Sequence, residues 1–314
     1  AEYKDVCHGI FMKVGAFDIL DDIPELKNTI AIASLHPWVD VGRVGTLVLN
    51  KLEQYTGATE LGRLSRPGTF YDFTRERPRT NIVDGNRVLT KPNSIVRFAK
   101  DESGDRDFLF LHLREPHMFG EDYAESIIEL LQHHNVVEYC RIGSMWDSVP
   151  HTRPLMVTGT LGELYEGRTR GLVSIRKNNY QGPTSIVNLV GDTLSEMQVQ
   201  TGSLMLHIPH YVQLDEDHRG TARMLGVLSA MYDFPNTLAD TARGEQQYDE
   251  ISRAVQNNDQ VRQLIIQLEA EYDSVQTGPE LESLEDPTLS PEMEQFLDEM
   301  AQRLEEGPSE SSQN

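Results

Sequence analysis

Two segments that pair proline with histidine could place chemically active side chains at fixed positions. The first is Val149-Pro-His-Thr-Arg-Pro154, and the second, about sixty residues later, is Ile208-Pro-His-Tyr211. Proline fixes its own φ and moves the preceding residue toward extended backbone, so each segment is predicted to be a rigid exit from a strand. Such an exit can present an imidazole, and in the first segment a guanidinium, for acid–base work or for holding an anion.

Further polar side chains fall at or near the predicted ends of strands, where open α/β sheets bind ligands. The candidate binding or loop-locking residues are Glu115, His117, His151, Arg153, His207, His210 and Tyr211, and Asp147 is a further carboxylate near a predicted strand end. In a catalytic interpretation, His151 or His210 is the acid or base, Glu115 its partner and Arg153 an anion clamp. In a structural interpretation, the same side chains hold loops by hydrogen bonds, and no residue is assigned as catalytic.

The sequence lacks the common signals for a cofactor or a metal. Gly42 and Gly45 open a predicted helix directly after a strand, but the three-glycine dinucleotide fingerprint and the Gly-Lys-Ser/Thr phosphate loop are missing. We therefore interpret these glycines as points of close packing between helix and sheet. No Cys/His set has the spacing of a zinc site, and there is no Gly-x-Ser-x-Gly elbow. We expect no cofactor and no metal.

Composition and charge exclude some classes of partner. The 314 residues include 50 Asp and Glu against 28 Lys and Arg, and the acidic excess is greatest after Asp240. Nucleic-acid binding needs clustered basic residues, so DNA and RNA are not expected partners. No apolar run approaches the roughly 20 residues of a transmembrane helix, so we expect a cytoplasmic protein without membrane contact. Cys7 and Cys140 are predicted to be buried free thiols.

Apolar runs alternate between strand and helix patterns over residues 1–235, which we interpret as a core domain. Predicted strands include 30–35, 108–113, 136–142 and 203–208, and predicted helices include 123–134 and 221–232. Residues 82–89 are predicted to form a hairpin around Asp84-Gly85. The strands at 108–113 and 136–142 are joined by a helix, so we expect them to be parallel neighbours. The alternation predicts an α/β domain with three α/β/α layers.

After residue 235 the sequence becomes polar and helical. We predict a helical extension at 236–276, an acidic linker at 277–289, an amphipathic helix at 290–304 and a disordered tail at 305–314. The amphipathic helix carries one apolar stripe, formed by Met293, Phe296, Leu297, Met300 and Leu304. Because an apolar stripe is stabilised when it is buried, we expect this helix to dock on its own domain or on a neighbouring subunit rather than on a foreign partner.

The two proline–histidine segments, together with Val157-Thr-Gly159 and Gly202, resemble the proteasome assembly chaperone family that contains the second subunit of the eukaryotic chaperone pair. The likeness is closest to the bacterial, actinobacterial-type members and extends over nearly the whole chain. It implies a phosphorylase/hydrolase-like α/β/α domain with a mixed sheet, and a self-associating, often trimeric protein without established catalytic residues. Some relatives dock through a C-terminal hydrophobic-Tyr-any tail; this sequence ends in Ser312-Gln-Asn314, so such docking is not expected.

Two functional hypotheses follow from the sequence. The leading one is a non-catalytic cytoplasmic homo-oligomer, with a trimer as one form, that acts in the assembly of a protein complex. Its partners would be copies of itself and either proteasome subunits or another complex. The alternative is an enzyme that hydrolyses or phosphorolyses a small polar substrate in a cleft at the strand ends. Convergence of His151, Arg153 and His210 on an open cleft would favour the enzyme, and their burial would count against it.

Overall fold

The computed structural model describes residues 11–83, 85–101, 106–175, 184–256 and 258–277. The strands are β1 (Phe11–Val14), β2 (Phe17–Leu20), β3 (Thr29–His36), β4 (Thr59–Leu64), β5 (Arg79–Val83), β6 (Asn86–Thr90), β7 (Ile95–Ala99), β8 (Phe108–Arg114), β9 (Val136–Asp147), β10 (Val157–Thr160), β11 (Ser174–Ile175) and β12 (Gln200–Pro209). The α-helices are α1 (Val44–Thr56), α2 (Gly120–His133), α3 (Glu163–Glu166), α4 (Ile186–Glu196), α5 (His218–Tyr232), α6 (Ala242–Gln256) and α7 (Asp259–Thr277). Cys7, the linker from residue 278, the predicted amphipathic helix and the tail lie outside the described residues.

Ten strands form one mixed sheet in the order β1-β2-β4-β7-β8-β3-β9-β12-β10-β11. The four central strands, β8, β3, β9 and β12, are parallel to one another. The strands on either side of this group, β7 and β10, pair with it in the antiparallel sense. The predicted α/β class with a mixed sheet is therefore confirmed. The remaining two strands, β5 and β6, form a separate antiparallel hairpin.

Helices cover both faces of the large sheet because its central strands are apolar on both sides. In β3, Ile30 and Ile32 point into a core with α1 and α5, whereas Ala31, Ala33 and Leu35 point into a second core with α2 and α4. Strand β8 alternates in the same way. Such strands are stable only when both faces are covered. The three-layer α/β/α arrangement predicted from the sequence is confirmed.

One topological prediction was wrong. The strands joined by α2, β8 and β9, are parallel but are not neighbours, because β3 lies between them and pairs with both. A crossover helix requires parallel strands on the same sheet but leaves room for another strand between them. The strand that fills this space is itself a buried apolar run, and its place in the sheet order is a long-range property that local pattern does not encode.

The two glycines before and in α1 allow a close approach of backbone and side chains. Gly42 has a φ of 59°, which favours glycine, and a Cβ at Gly45 would lie 2.1 Å from Ser34 Oγ on β3. Gly45 therefore packs helix against sheet, as interpreted, whereas a Cβ at Gly42 would meet Asp217 at the start of α5 rather than the sheet. Beside them the Asp40 carboxylate accepts hydrogen bonds from the Thr46 backbone N–H and hydroxyl, at 3.2 and 2.6 Å.

Helices α6 and α7 extend the core on the side of α1 and α5. Their buried apolar residues are Tyr248 and Val255 in α6 and Val261, Ile265 and Leu268 in α7. These side chains belong to the same apolar cluster as α5, so α6 and α7 pack onto the α/β layers. The break between them falls near Asn258, as predicted. The proposed division at residue 235 stays a prediction.

Several features are missing from the described residues. No helix there is both long and apolar enough to cross a bilayer. The same part of the chain holds no group of three or more His, Cys, Asp or Glu arranged to bind a metal ion. Cys140 is a buried free thiol, as predicted, and burial raises its pKa to about 12.

Candidate functional site

The parallel strands β8, β3, β9 and β12 end on the same edge of the sheet, here named the carboxyl edge. All seven sequence-predicted site residues lie at or just beyond this edge. They form two groups. His151, Arg153, His207, His210 and Tyr211 lie around the ends of β9 and β12, whereas Glu115 and His117 follow β8, on the other side of β3.

The 149–154 turn, which carries the first proline–histidine segment, is held at His151. This residue is only 2% exposed. Its backbone N–H donates to the Tyr211 hydroxyl at 2.7 Å, and its Nδ1 lies 2.9 Å from the same hydroxyl. Its Nε2 lies 3.1 Å from Ser252 Oγ on α6, and its carbonyl accepts from Arg219 on α5 at 2.9 Å. The turn is therefore joined to the second proline–histidine segment and to two helices.

The hydrogen bonds around His151 fit one neutral form of its ring. Because the Tyr211 oxygen accepts from the His151 N–H, its own hydrogen can be donated to Nδ1. Nε2 then carries the proton and donates to Ser252 Oγ, whose hydrogen goes to the Tyr248 carbonyl at 2.9 Å. Burial, aided by the positive charge of Arg219, lowers the pKa of His151 to about 4. At neutral pH this imidazole is uncharged and both of its nitrogens are engaged.

Arg153 binds carboxylates of its own chain. Its Nε and one terminal nitrogen donate to the two carboxylate oxygens of Asp273 at 2.9 and 2.8 Å, and the other terminal nitrogen donates to Glu269 at 3.1 Å. Both acidic residues lie on α7, four residues apart. Thr152 also donates to Glu269, and Tyr272 donates to the Pro154 carbonyl. The guanidinium that the sequence offered as an anion clamp is thus paired within the chain.

His207 lies in a row of three polar side chains across β9, β12 and β10. Its Nδ1 is 2.7 Å from an Asp147 carboxylate oxygen, and its Nε2 is 2.7 Å from the Thr158 hydroxyl. The ring is 7% exposed. His210 lies beside this row, with its backbone N–H donating to the Asp147 carbonyl at 3.1 Å. The order carboxylate, imidazole, hydroxyl is the connectivity used by hydrolases that activate an oxygen nucleophile.

Glu115 and His117 make contacts away from the His151 group. Glu115 accepts a hydrogen bond from the Ile186 N–H at the start of α4, and burial raises the pKa of its carboxyl group. Its Oε2 is buried without a partner among the described residues. His117 accepts from the Asp72 N–H at 3.0 Å through Nδ1 and donates its backbone N–H to Phe70. The structure therefore does not bring Glu115 together with His151 or His210.

An open depression of about 670 Å³ lies elsewhere, between the start of α1 and α6. Its lining is Arg43, Leu214, Asp215, Glu216, His218, Arg243 and Gln247, none of which the sequence predicted as a site residue. Arg43 is paired with Glu216 at 2.9 Å. The depression is lined by charges of both signs, and it does not include the histidines of the carboxyl edge.

Sequence reasoning missed the partners of the predicted residues. Ser252, Glu269 and Asp273 come from α6 and α7, about one hundred residues away from the turn they bind. The one available signal was the four-residue spacing of Glu269 and Asp273, which places two carboxylates on the same helix face. Thr158 carried no signal of its own, because a threonine in a strand is common.

The sequence profile of the PAC2 family matches residues 34–257. This match covers well over half of the 314 residues. The chain belongs to the PAC2 family. The matched range contains both proline–histidine segments, the carboxyl edge and α6, but not the α7 residues that bind Arg153. No protein with a curated description matches the chain.

Several solved structures share the fold at low sequence identity. A protein of unknown function from Corynebacterium glutamicum is 18% identical, with a TM-score of 0.73 over 83% of this chain and 98% of that one. A PAC2 family protein from Streptomyces avermitilis is 22% identical, with a TM-score of 0.64 over 76% and 99% of the two chains. The proteasome-assembly chaperone homologue of Mycobacterium tuberculosis is 21% identical, with a TM-score of 0.65 over 75% and 99%. The resemblance stated from the sequence is confirmed at the level of family and fold.

Proposed function

We propose that this PAC2 protein is a non-catalytic cytoplasmic homo-oligomer that acts in the assembly of a protein complex. The observation that carries the proposal is a set of exposed apolar side chains on the carboxyl edge. Trp38 follows β3, Met118 and Phe119 follow β8, and Met145 and Trp146 end β9. Trp38, Phe119 and Trp146 are 64%, 59% and 53% exposed. Exposed apolar groups of this size mark protein contacts, and tryptophan is frequent among the residues that dominate them.

The candidate site residues support this proposal because their hydrogen-bond partners belong to the same chain. His151, Tyr211 and Arg153 are engaged with the chain's own side chains, so we interpret them as locks that fix the 149–154 turn. A fixed turn keeps the carboxyl edge rigid, and a rigid surface loses less conformational entropy when a partner binds. The fold likeness to a proteasome-assembly chaperone homologue makes proteasome subunits the first clients to test.

The oligomer is tested by native mass spectrometry of the full chain and of Trp38→Asp and Trp146→Asp variants. We expect an oligomer for the unmodified chain, with a trimer as the implied form, and dissociation in at least one variant, because a carboxylate in an apolar contact is strongly disfavoured. Leu164→Asp is the matched control, since Leu164 is 71% exposed but belongs to α3. A monomeric unmodified chain would refute self-association. Recovery of proteasome subunits with the tagged protein from its own cells would support the assembly role.

A second candidate function rests on the row Asp147, His207 and Thr158. If this row activates the Thr158 hydroxyl, the protein hydrolyses a small ester or amide through a covalent intermediate on threonine. Thr158→Val keeps the shape of the side chain and removes the oxygen. Hydrolysis of an activated ester that disappears in this variant and in His207→Gln would favour the enzyme. Equal rates in all three proteins would favour the non-catalytic role.

A further inference from the structure

The β5–β6 hairpin, here named the arm, is exposed along both of its strands. All ten strand residues are exposed. The exposed fractions of the apolar ones are 79% for Ile82, 52% for Val83, 44% for Leu89 and 41% for Val88. The arm forms its own two-stranded sheet, separate from the ten-stranded one. An isolated hairpin in water is marginally stable, so exposed apolar residues on one are favoured only if they meet a partner.

Both faces of the arm carry the same combination of side chains. The register pairs Arg79 with Thr90 and Ile82 with Arg87. Because side chains alternate along a strand, Val83, Val88 and Arg79 share one face, and Ile82, Leu89 and Arg87 share the other. Each face therefore presents two apolar side chains beside an arginine. Such an arm is suited to a partner that is both apolar and acidic.

The arm is also a basic region in an acidic protein. Residues 75–91 contain five Lys and Arg against two Asp and Glu, in a chain whose formal net charge is -22. Arg79 and Arg87 form no ion pair within the described residues. Their positive charge is therefore available to an acidic partner.

One segment of the same chain has the matching chemistry. Residues 290–304 carry the apolar stripe defined above, and they contain four Asp and Glu against one Arg. The acidic residues are Glu292, Glu294, Asp298 and Glu299. An amphipathic helix that lays its apolar stripe against an apolar surface is a common mode of recognition, and the flanking charges set the choice of partner.

We propose that the arm is the docking site for residues 290–304 of this chain. The apolar stripe lies against one apolar face of the arm, and the acidic residues pair with the arginine of that face, Arg79 or Arg87. Residues 278–289 could span about 40 Å at full extension, which is comparable to the diameter of a domain of this size.

The first test is a disulfide cross-link in the full chain. Leu89→Cys and Leu297→Cys are combined in a Cys7→Ser background, where the remaining Cys140 is buried. Mild oxidation is expected to link the two positions, giving a faster-migrating monomer for docking within one copy or a dimer band for docking between copies. The matched control places the first cysteine at Arg170, which is exposed and lies far along the chain from the arm. Linking at Leu89 no faster than at residue 170 would overturn the proposal.

The second test is charge reversal, read out by the same cross-link. Arg79→Glu with Arg87→Glu reverses the charge on both faces of the arm, and it is expected to lower the cross-linking yield about tenfold because the favourable ion pair on the docked face becomes repulsive. Adding Glu294→Arg and Asp298→Arg is expected to restore it. High salt is expected to weaken the effect, since exposed charges are screened. An unchanged yield after the reversal, or no recovery with the paired change, would overturn the assignment of these arginines.

Discussion

The 149–154 turn and the arm are both parts of connections between strands of the large sheet, and they differ in the contacts they make. The turn binds the end of β12 and the helices α5, α6 and α7, and His151 at its centre is 2% exposed. The arm exposes all ten of its strand residues. The difference shows that the His and Arg side chains of one connection can be engaged within the chain, while the aliphatic and basic side chains of another stay exposed.

Of the variants described below, the one that removes the His151 side chain is expected to have the largest effect on the free energy of unfolding. His151→Ala deletes the ring contacts to Tyr211 and Ser252, so the buried Tyr211 hydroxyl and the partly buried Ser252 hydroxyl each lose a hydrogen bond. We expect a loss of about 2–4 kcal/mol in the free energy of unfolding, measured by urea denaturation. Ile82→Ala on the arm is the comparison and should change the same quantity by less than about 0.5 kcal/mol. Similar losses for the two variants would contradict the difference between turn and arm.

The second prediction concerns pH. The pKa of His151 is about 4 in the folded protein, and an unfolded histidine titrates near 6.5. The unfolded state therefore takes up the proton first as the pH falls. The contribution of His151 to the free energy of unfolding is fully present above pH 6.5 and is lost as the pH falls to 4. The loss is about 3 kcal/mol. Buried His134, whose pKa is also about 4, adds a loss in the same range.

Denaturation curves at several pH values check this sign. His151→Gln removes one titrating group, so its stability should fall less steeply between pH 6.5 and 4 than that of the unmodified chain. The arm contains no histidine. Arm variants such as Ile82→Ala should therefore keep the full pH dependence, and an equal slope in His151→Gln would show that this ring does not titrate as described.

A smaller, local effect is expected from Arg153. Arg153→Met breaks the paired hydrogen bonds to Asp273 and the contact to Glu269. Because the pair is partly exposed, its contribution to global stability is modest and sensitive to salt. Hydrogen exchange of the α7 amides should become faster, while that of β3 stays the same. Arg79→Met on the arm is the control and should leave α7 exchange unchanged; faster exchange there would show that the effect is not specific to the turn.

Local patterns were sufficient for much of the fold. The apolar runs of β3 and β8 were visible as strands because alternate residues must enter two separate cores, and the Asp-Gly pair marked the β5–β6 hairpin. The position of β3 between β8 and β9 was not predictable in this way. Strand order depends on which strands meet after the chain has crossed the sheet, and local periodicity carries no information about it.

The candidate site shows the same division between local and long-range information. The proline–histidine segments located the 149–154 turn and the end of β12, which the structure places in contact through His151 and Tyr211. The partners Ser252, Glu269 and Asp273 come from helices about one hundred residues later. A guanidinium in a sequence looks equally suited to a substrate carboxylate and to one from its own chain. Only the packing of α7 against the turn distinguishes the two.

The smallest effect is expected from valine-to-threonine substitution in the arm, which we compare with the same substitution in the large sheet. Val83→Thr with Val88→Thr replaces two exposed valines of the arm, and we expect the free energy of unfolding to change by less than about 0.5 kcal/mol. Val157→Thr in β10 replaces a valine that is 1% exposed. It should cost about 1–3 kcal/mol, because the hydroxyl is buried in an apolar core. Urea denaturation of the three proteins gives the comparison directly. A cost in the arm as large as in β10 would contradict the exposure of these two valines in the folded chain.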